Sequence, residues 1–197
     1  HSTLKRVCAE KSGAAYITGG SSGLGFAFAA ELLRAETPVV LIARNPERLD
    51  RARDSLGTVA DPSLIHREVA DVSESGSLKS AFYRAAERVG PPRLLLHTAG
   101  NADPDYFEAL TEERYRRQVE INLTGSWNAL QLAVAAMRRH AERPCYILTV
   151  SSLAGVIPVF GYTAYGATKF GVYGLSLALR QELYREGIYV SVLAPGD

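Results

Sequence analysis

A glycine-rich turn set between an apolar run and a helical segment leaves this chain few folds to adopt. Residues 14–18 read Ala-Ala-Tyr-Ile-Thr, a short apolar run. Gly19-Gly20-Ser21-Ser22-Gly23-Leu24-Gly25 follows, and residues 26–35 have helical composition. The order is strand, turn, helix, with the turn spelled T-G-x-x-x-G-x-G. Glycines permit the tight turn and let the backbone approach a pyrophosphate closely. The helix N-terminus adds unpaired N–H groups and the positive end of a dipole. An ordinary βα turn using glycine for geometry alone is the plainer alternative. The strand before and the helix after favour the phosphate-binding one.

The same alternation continues along the chain. Pro38 to Ala43 is a continuous apolar run, typical of a parallel strand buried on both faces. Residues 46–56 form an amphipathic helix with Leu49, Ala52 and Leu56 on its apolar side. Residues 58–62 read as a loop, 64–69 as a weaker third strand and 75–89 as a helix stopped by Gly90-Pro91-Pro92. Strands are expected at 93–97, 144–150 and 188–193. A long helical stretch runs from Thr111 to Arg139, apolar on more than one side, with Asn122 and Asn128 inside it. Strands and helices alternating without a composition shift imply one α/β domain over residues 1–197. Its parallel sheet is doubly wound, with right-handed crossovers. Residues 1–12 are expected to be a loosely attached lead-in.

Several strand ends carry polar groups. Arg44 follows the second strand, and no acid occurs until Glu47. An acid there would take a ribose 2′-OH, whereas an Arg accommodates a 2′-phosphate, so the spelling favours NADP(H). Capping the loop is the plainer role for Arg44. Asp71 sits after the third strand, either against an adenine edge or simply in a turn. Small residues at Ala99 and Gly100 would let the backbone lie against a flat ring. Asn122 is either a satisfied core amide or part of a polar site.

Tyr165 and Lys169 stand four residues apart in a helix expected over 164–184. Positions i and i+4 share a helix face. A phenol and an ammonium would then enter one space, and a nearby cation favours the phenolate. That makes a Tyr usable as an acid or base near neutral pH. Ser152, thirteen residues before Tyr165, falls just past the fifth apolar run, at the strand end where open α/β sheets bind ligands. Alone, the Tyr-Lys pair would be an aromatic and a solvated Lys on an ordinary helix; the rest of the chain decides against that.

Composition excludes other classes. The net charge is +1 over 197 residues, so the overall balance suggests neither nucleic-acid nor anionic-membrane binding. Cys8 and Cys145 form no metal spacing, and the four histidines are scattered, so no metal is expected. Two reduced thiols fit an intracellular, cytoplasmic protein. No apolar run reaches the length of a membrane span.

With the glycine turn, Asn122, Ser152, Tyr165 and Lys169 placed, residues 14–197 resemble the short-chain dehydrogenase/reductase family. The resemblance implies a Rossmann-type sheet of strand order 3-2-1-4-5-6. Gly19, Ser21, Ser22, Gly23, Leu24 and Gly25 would line the cofactor's pyrophosphate. Arg44 would take the 2′-phosphate, Asp71 and Val72 the adenine, and Ala99 and Gly100 the ribose. Pro195-Gly196 resembles the turn beside the nicotinamide. Asn122, Ser152, Tyr165 and Lys169 would be catalytic, with Lys169 also holding ribose hydroxyls and Asn122 anchoring a water that links Lys169 to solvent. The resemblance also implies a ketone or alcohol substrate and a homodimer or homotetramer. Two features depart from the family pattern. His97-Thr98-Ala99-Gly100 stands where Asn-Ala-Gly or Asn-Asn-Ala-Gly is usual, which leaves open how that strand end is pinned. The substrate loop, short helix and seventh strand that follow Pro-Gly in the family are not in this sequence.

Local spellings are most similar to the 3-ketodihydrosphingosine reductases. These are Ser22 before Gly23, Ala43-Arg44-Asn45, residues 160–165 reading Phe-Gly-Tyr-Thr-Ala-Tyr, and Pro195-Gly196-Asp197. Val156, Ile157, Val159 and Phe160 would then wall an apolar pocket for a long-chain 3-keto lipid, and a lipid substrate would put the protein at a membrane surface. The alternatives are that these side chains are ordinary core, that the substrate is a carrier-bound, steroid or sugar-derived ketone, or that the fold serves as a non-catalytic cofactor sensor.

Overall fold

The computed structural model describes residues 13–139 and 144–196. The expected lead-in at 1–12, Cys8, His1, His140 and Asp197 lie outside the described residues.

Six strands form one sheet: β1 (Ala14–Thr18), β2 (Val39–Ala43), β3 (Ile65–Val69), β4 (Pro92–His97), β5 (Cys145–Val150) and β6 (Ile188–Leu193). All pairings are parallel and the spatial order is β3-β2-β1-β4-β5-β6, as expected. The alternation of side chains along each strand divides the core in two. On one face Ile17, Leu41 and Leu96 pack beneath α1 (Gly23–Arg34) and α2 (Pro46–Leu56), through Leu32, Leu33, Leu49 and Leu56. On the other, Tyr16, Val40, Leu95 and Ile147 lie under α3 (Ser75–Val89), α5 (Gly125–Arg139) and α6 (Thr163–Leu183), through Phe82, Leu130, Met137 and Leu183. A short helix α4 (Glu112–Gln118) precedes α5. The order reverses between β1 and β4, so their carboxyl ends open onto the crevice where such sheets bind ligands.

The stretch expected as one helix over 111–139 is broken. Between α4 and α5, Val119–Thr124 forms a π turn, whose i→i+5 bonds hold one more residue per ring than an α turn. Asn122 stands in it. Among the described residues no helix is long and apolar enough to cross a membrane, and no group of acids, His and Cys could hold a metal ion.

Candidate active site

The glycine turn folds as a cradle. Gly25 must lack a side chain, because a Cβ there would come 2.5 Å from the Gly19 carbonyl and stop α1 seating on the turn. Gly23 has φ +53°, and a Cβ there would meet no protein atom within 4 Å. The space above it is therefore free. Ser22 caps α1 without a side-chain hydrogen bond, and the first turn of α1 holds no acid. The N–H groups and the dipole of α1 thus point into the crevice uncompensated. A cavity of about 180 Å³ lies alongside, lined by Gly19, Ser21, Ser22, Arg44, Val72 and Gly100 among others. Donors, shape and absence of negative charge at the turn all fit a dinucleotide pyrophosphate.

Arg44 and Asp71 meet at the rim of this cavity. Arg44 Nη1 is 3.5 Å from Asp71 Oδ2, with Arg44 half exposed. Burial pushes the Asp71 carboxyl up, but hydrogen bonds from Ser73 and the Arg44 charge outweigh it and hold the carboxyl below its usual range. Ser73 donates both its N–H and its hydroxyl to Asp71 Oδ1, at 2.9 and 2.7 Å. Asn128 donates its amide to the Val72 carbonyl at 2.9 Å, fixing this turn from α5. The second amide noted in the sequence thus positions the strand end that carries Asp71 and Val72.

On the other side of the crevice, α6 presents Tyr165 and Lys169 together. Lys169 Nζ lies 5.6 Å from the centre of the Tyr165 ring. The solvated Lys of the plainer reading is not found: Lys169 is 6% exposed. Its ammonium donates to the Val150 carbonyl at 3.1 Å. Burial brings its pKa down to about 8. Ser151 braces the same turn, its hydroxyl donating to the Lys169 carbonyl at 2.8 Å. Ser152 follows at the end of β5, its hydroxyl accepting from Ala154 N–H at 3.1 Å. Leu153 N–H donates to the Pro195 carbonyl at 2.8 Å, which brings Pro195-Gly196 beside the Ser152 turn. A Cβ on Gly100 would stand 3.3 Å from Lys169 Nζ, so that loop also borders the ammonium.

The Asn122 amide joins these parts. Its Oδ1 accepts from Asn101 N–H at 2.8 Å; its Nδ2 donates to the Asn101 carbonyl at 2.9 Å and to Thr168 Oγ1 at 3.0 Å. Both amide N–H groups are thus held by protein. The side chain thus clamps the loop after β4 to the residue preceding Lys169. Its main-chain carbonyl accepts from Ser126 Oγ at 2.5 Å.

Further contacts, illegible in the sequence, tie the loop after β4 to the turn before α6. Arg114 bridges Asp103 and Asp105, with Nε 2.8 Å from Asp103 Oδ2 and Nη1 2.5 Å from Asp105 Oδ2. Asp105 N–H donates to the Gly161 carbonyl at 2.9 Å, and the Tyr106 and Phe160 rings meet edge to face with centres 5.6 Å apart. Val156, Ile157, Val159 and Phe160 are not core: Phe160 is 84% exposed and Ile157 47%. They form an open apolar rim rather than a closed pocket.

A family model described as short chain dehydrogenase matches residues 13–197. The chain belongs to the short-chain dehydrogenase family. Among this dehydrogenase's relatives are 3-dehydrosphinganine reductase TSC10B of Arabidopsis thaliana, 37% identical over 92% of the chain, and 3-dehydrosphinganine reductase of Danio rerio, 33% identical over 92%. The chain spans about half the length of these relatives, 54% and 55%. Of solved structures, an actinorhodin polyketide ketoreductase with NADPH is 28% identical with TM-score 0.88, over 94% of this chain and 70% of that one. The apo form of LigO from a Sphingobium strain gives the same identity and score, over 94% and 68%.

Proposed function

We propose that this short-chain dehydrogenase reduces the ketone of a long-chain 3-keto lipid such as 3-ketosphinganine, with NADPH. One observation carries the activity: a half-buried phenol and a buried ammonium share one helix face beside the crevice at the glycine turn. Gly19, Ser21, Ser22, Gly23, Leu24 and Gly25 would hold the pyrophosphate. Arg44 would hold the 2′-phosphate, and Asp71 and Val72 the adenine. Ala99, Gly100 and Lys169 would border the ribose, and Pro195-Gly196 the nicotinamide, which supplies the hydride. Ser152 Oγ donates to the substrate carbonyl oxygen and fixes its place. The Tyr165 hydroxyl passes its proton to that oxygen as the alkoxide forms. Lys169, positive beside the ring, favours the phenolate left behind. Asn122 keeps the loop after β4 locked to α6, so the four groups hold one geometry. A cofactor sensor on the same fold would have no need of this Tyr-Lys pair.

The lipid reading is supported by the relatives named as 3-dehydrosphinganine reductases and by the exposed apolar rim at residues 153–160, which matches an acyl chain better than water. The likeness to a polyketide ketoreductase favours a second reading, a carrier-bound ketone. A competition assay with NADPH separates them. The chain is expected to prefer 3-ketosphinganine over a short acetoacetyl thioester; the opposite preference overturns the lipid reading and leaves the general reductase.

The partner is a second copy. Trp127, on α5, is 51% exposed. An apolar groove runs from it between α5 and α6, past Leu130, Val134, Leu175 and Leu179. Pairing of these helices across a two-fold axis would cover it. Light scattering at micromolar concentration is expected to give a dimer or tetramer, and a monomer would count against the pairing.

A further inference from the structure

We infer that His97 is a positioning residue: a neutral imidazole protonated on Nε2, it ties the glycine turn to the π turn that holds Asn122. The inference rests on the site reading given above. His97 ends β4 and is 1% exposed. Its Nδ1 lies 2.7 Å from Thr18 Oγ1, on the last residue of β1 before the glycine turn. Its Nε2 lies 2.8 Å from Ser126 Oγ, in the first turn of α5.

The remaining bonds decide where the proton sits. Ser126 has one hydroxyl proton and donates it to the Asn122 carbonyl. Toward His97, Ser126 Oγ therefore accepts, and Nε2 carries the hydrogen. Nδ1 is then a bare acceptor, and the Thr18 hydroxyl donates to it. The chain runs one way, Thr18 to His97 to Ser126 to Asn122, and no link reverses without breaking the next. Complete burial, with the Lys169 ammonium nearby, brings the imidazole pKa down to about 3, so the ring stays neutral. Both ends of the chain reach the crevice. Thr18 leads into Gly19, and the Thr18 carbonyl also accepts from Thr98 N–H at 3.1 Å and Thr98 Oγ1 at 2.7 Å. Asn122 reaches Thr168, beside Lys169. His97 and Thr98 thus pin this strand end to both sides of the crevice.

Two amide substitutions separate the two halves of this link. His97→Asn offers an acceptor where Nδ1 stood but falls short of Ser126. His97→Gln offers a donor where Nε2 stood and leaves Thr18 without its acceptor. His97→Asn is expected to lower kcat about tenfold, as for one buried hydrogen bond lost, and to raise the NADPH dissociation constant, read by cofactor fluorescence, far less. His97→Gln is expected to raise that dissociation constant about tenfold and to lower kcat far less. Equal losses in the two variants, or a change in thermal stability alone, overturn the inference. Nitrogen-15 NMR of the unsubstituted full chain needs neither variant nor turnover. It should show a neutral Nε2–H ring from about pH 5 to 8, the range in which an ordinary His titrates. An Nδ1–H tautomer or an imidazolium sinks the proposal. If the unsubstituted chain reduces no ketone, the functional reading fails, while the NMR pattern and the NADPH affinities still judge His97.

Discussion

Replacing Tyr165 by Phe is expected to lower turnover about 10³-fold, within the range for a lost general acid, and to leave NADPH affinity nearly unchanged. The ring remains and only the hydroxyl goes, so the Tyr162–Tyr165 edge-to-face contact, centres 5.6 Å apart, survives. Lys169→Ala should damage both turnover and NADPH binding, because its ammonium faces the phenol and the loop at Gly100 together. The Lys169 pKa of about 8 gives this pair a pH signature. Burial lowers that pKa, so the charged form is complete below about 8 and is lost as pH rises through it. In the unsubstituted chain, kcat/KM for NADPH should fall on the basic side with an apparent pKa near 8, since this ratio reports the free enzyme. A Tyr165→Phe variant with near-normal turnover would remove Tyr165 from its role.

Arg44→Ala is expected to raise the dissociation constant for NADPH by about 10- to 100-fold, as for a lost charge-assisted hydrogen bond, and that for NADH far less. The 3.5 Å approach of Arg44 to Asp71 does not prevent this. An exposed ion pair contributes about 1 kcal/mol or less. A doubly charged phosphate beside the same guanidinium outcompetes it. Asp71→Asn removes the competitor, so it should not weaken NADPH through Arg44. Equilibrium titration of both cofactors checks this, and equal affinity of the unsubstituted chain for NADPH and NADH refutes the assignment.

The sheet was legible because its strands are continuous apolar runs, and right-handed crossovers restrict the ways they can be ordered. Tyr165 and Lys169 were legible because helix geometry alone sets their spacing. The π turn was not. Its mark is an apolar pattern on more than one side over 115–137, which a fully buried helix would also show. The His97 link escaped for another reason. It joins residues 79 and 29 positions apart, and nothing local to Thr18, His97 or Ser126 marks the contact. The rim at 153–160 was read as pocket or core, since an apolar run carries no sign of whether anything covers it. The Arg114 bridge to Asp103 and Asp105 likewise depends on a loop path that has no periodicity to read.

The wide turn at Val119–Thr124 also sets how the two ends of this long stretch face their surroundings. A continuous α-helix fixes the azimuth of every residue relative to the first, so one end cannot be respelled without regard to the other. The extra residue in a π turn resets that phase. Upstream, Gln118 answers to the loop it holds, its amide donating to the Asp103 carbonyl at 3.2 Å. Downstream, Ala129, Ala133 and Met137 answer to the sheet. The offset lets one run of residues serve the mouth at one end and the sheet at the other. Deleting a single residue from the wide turn would remove that offset and rotate the sheet-facing residues relative to the mouth.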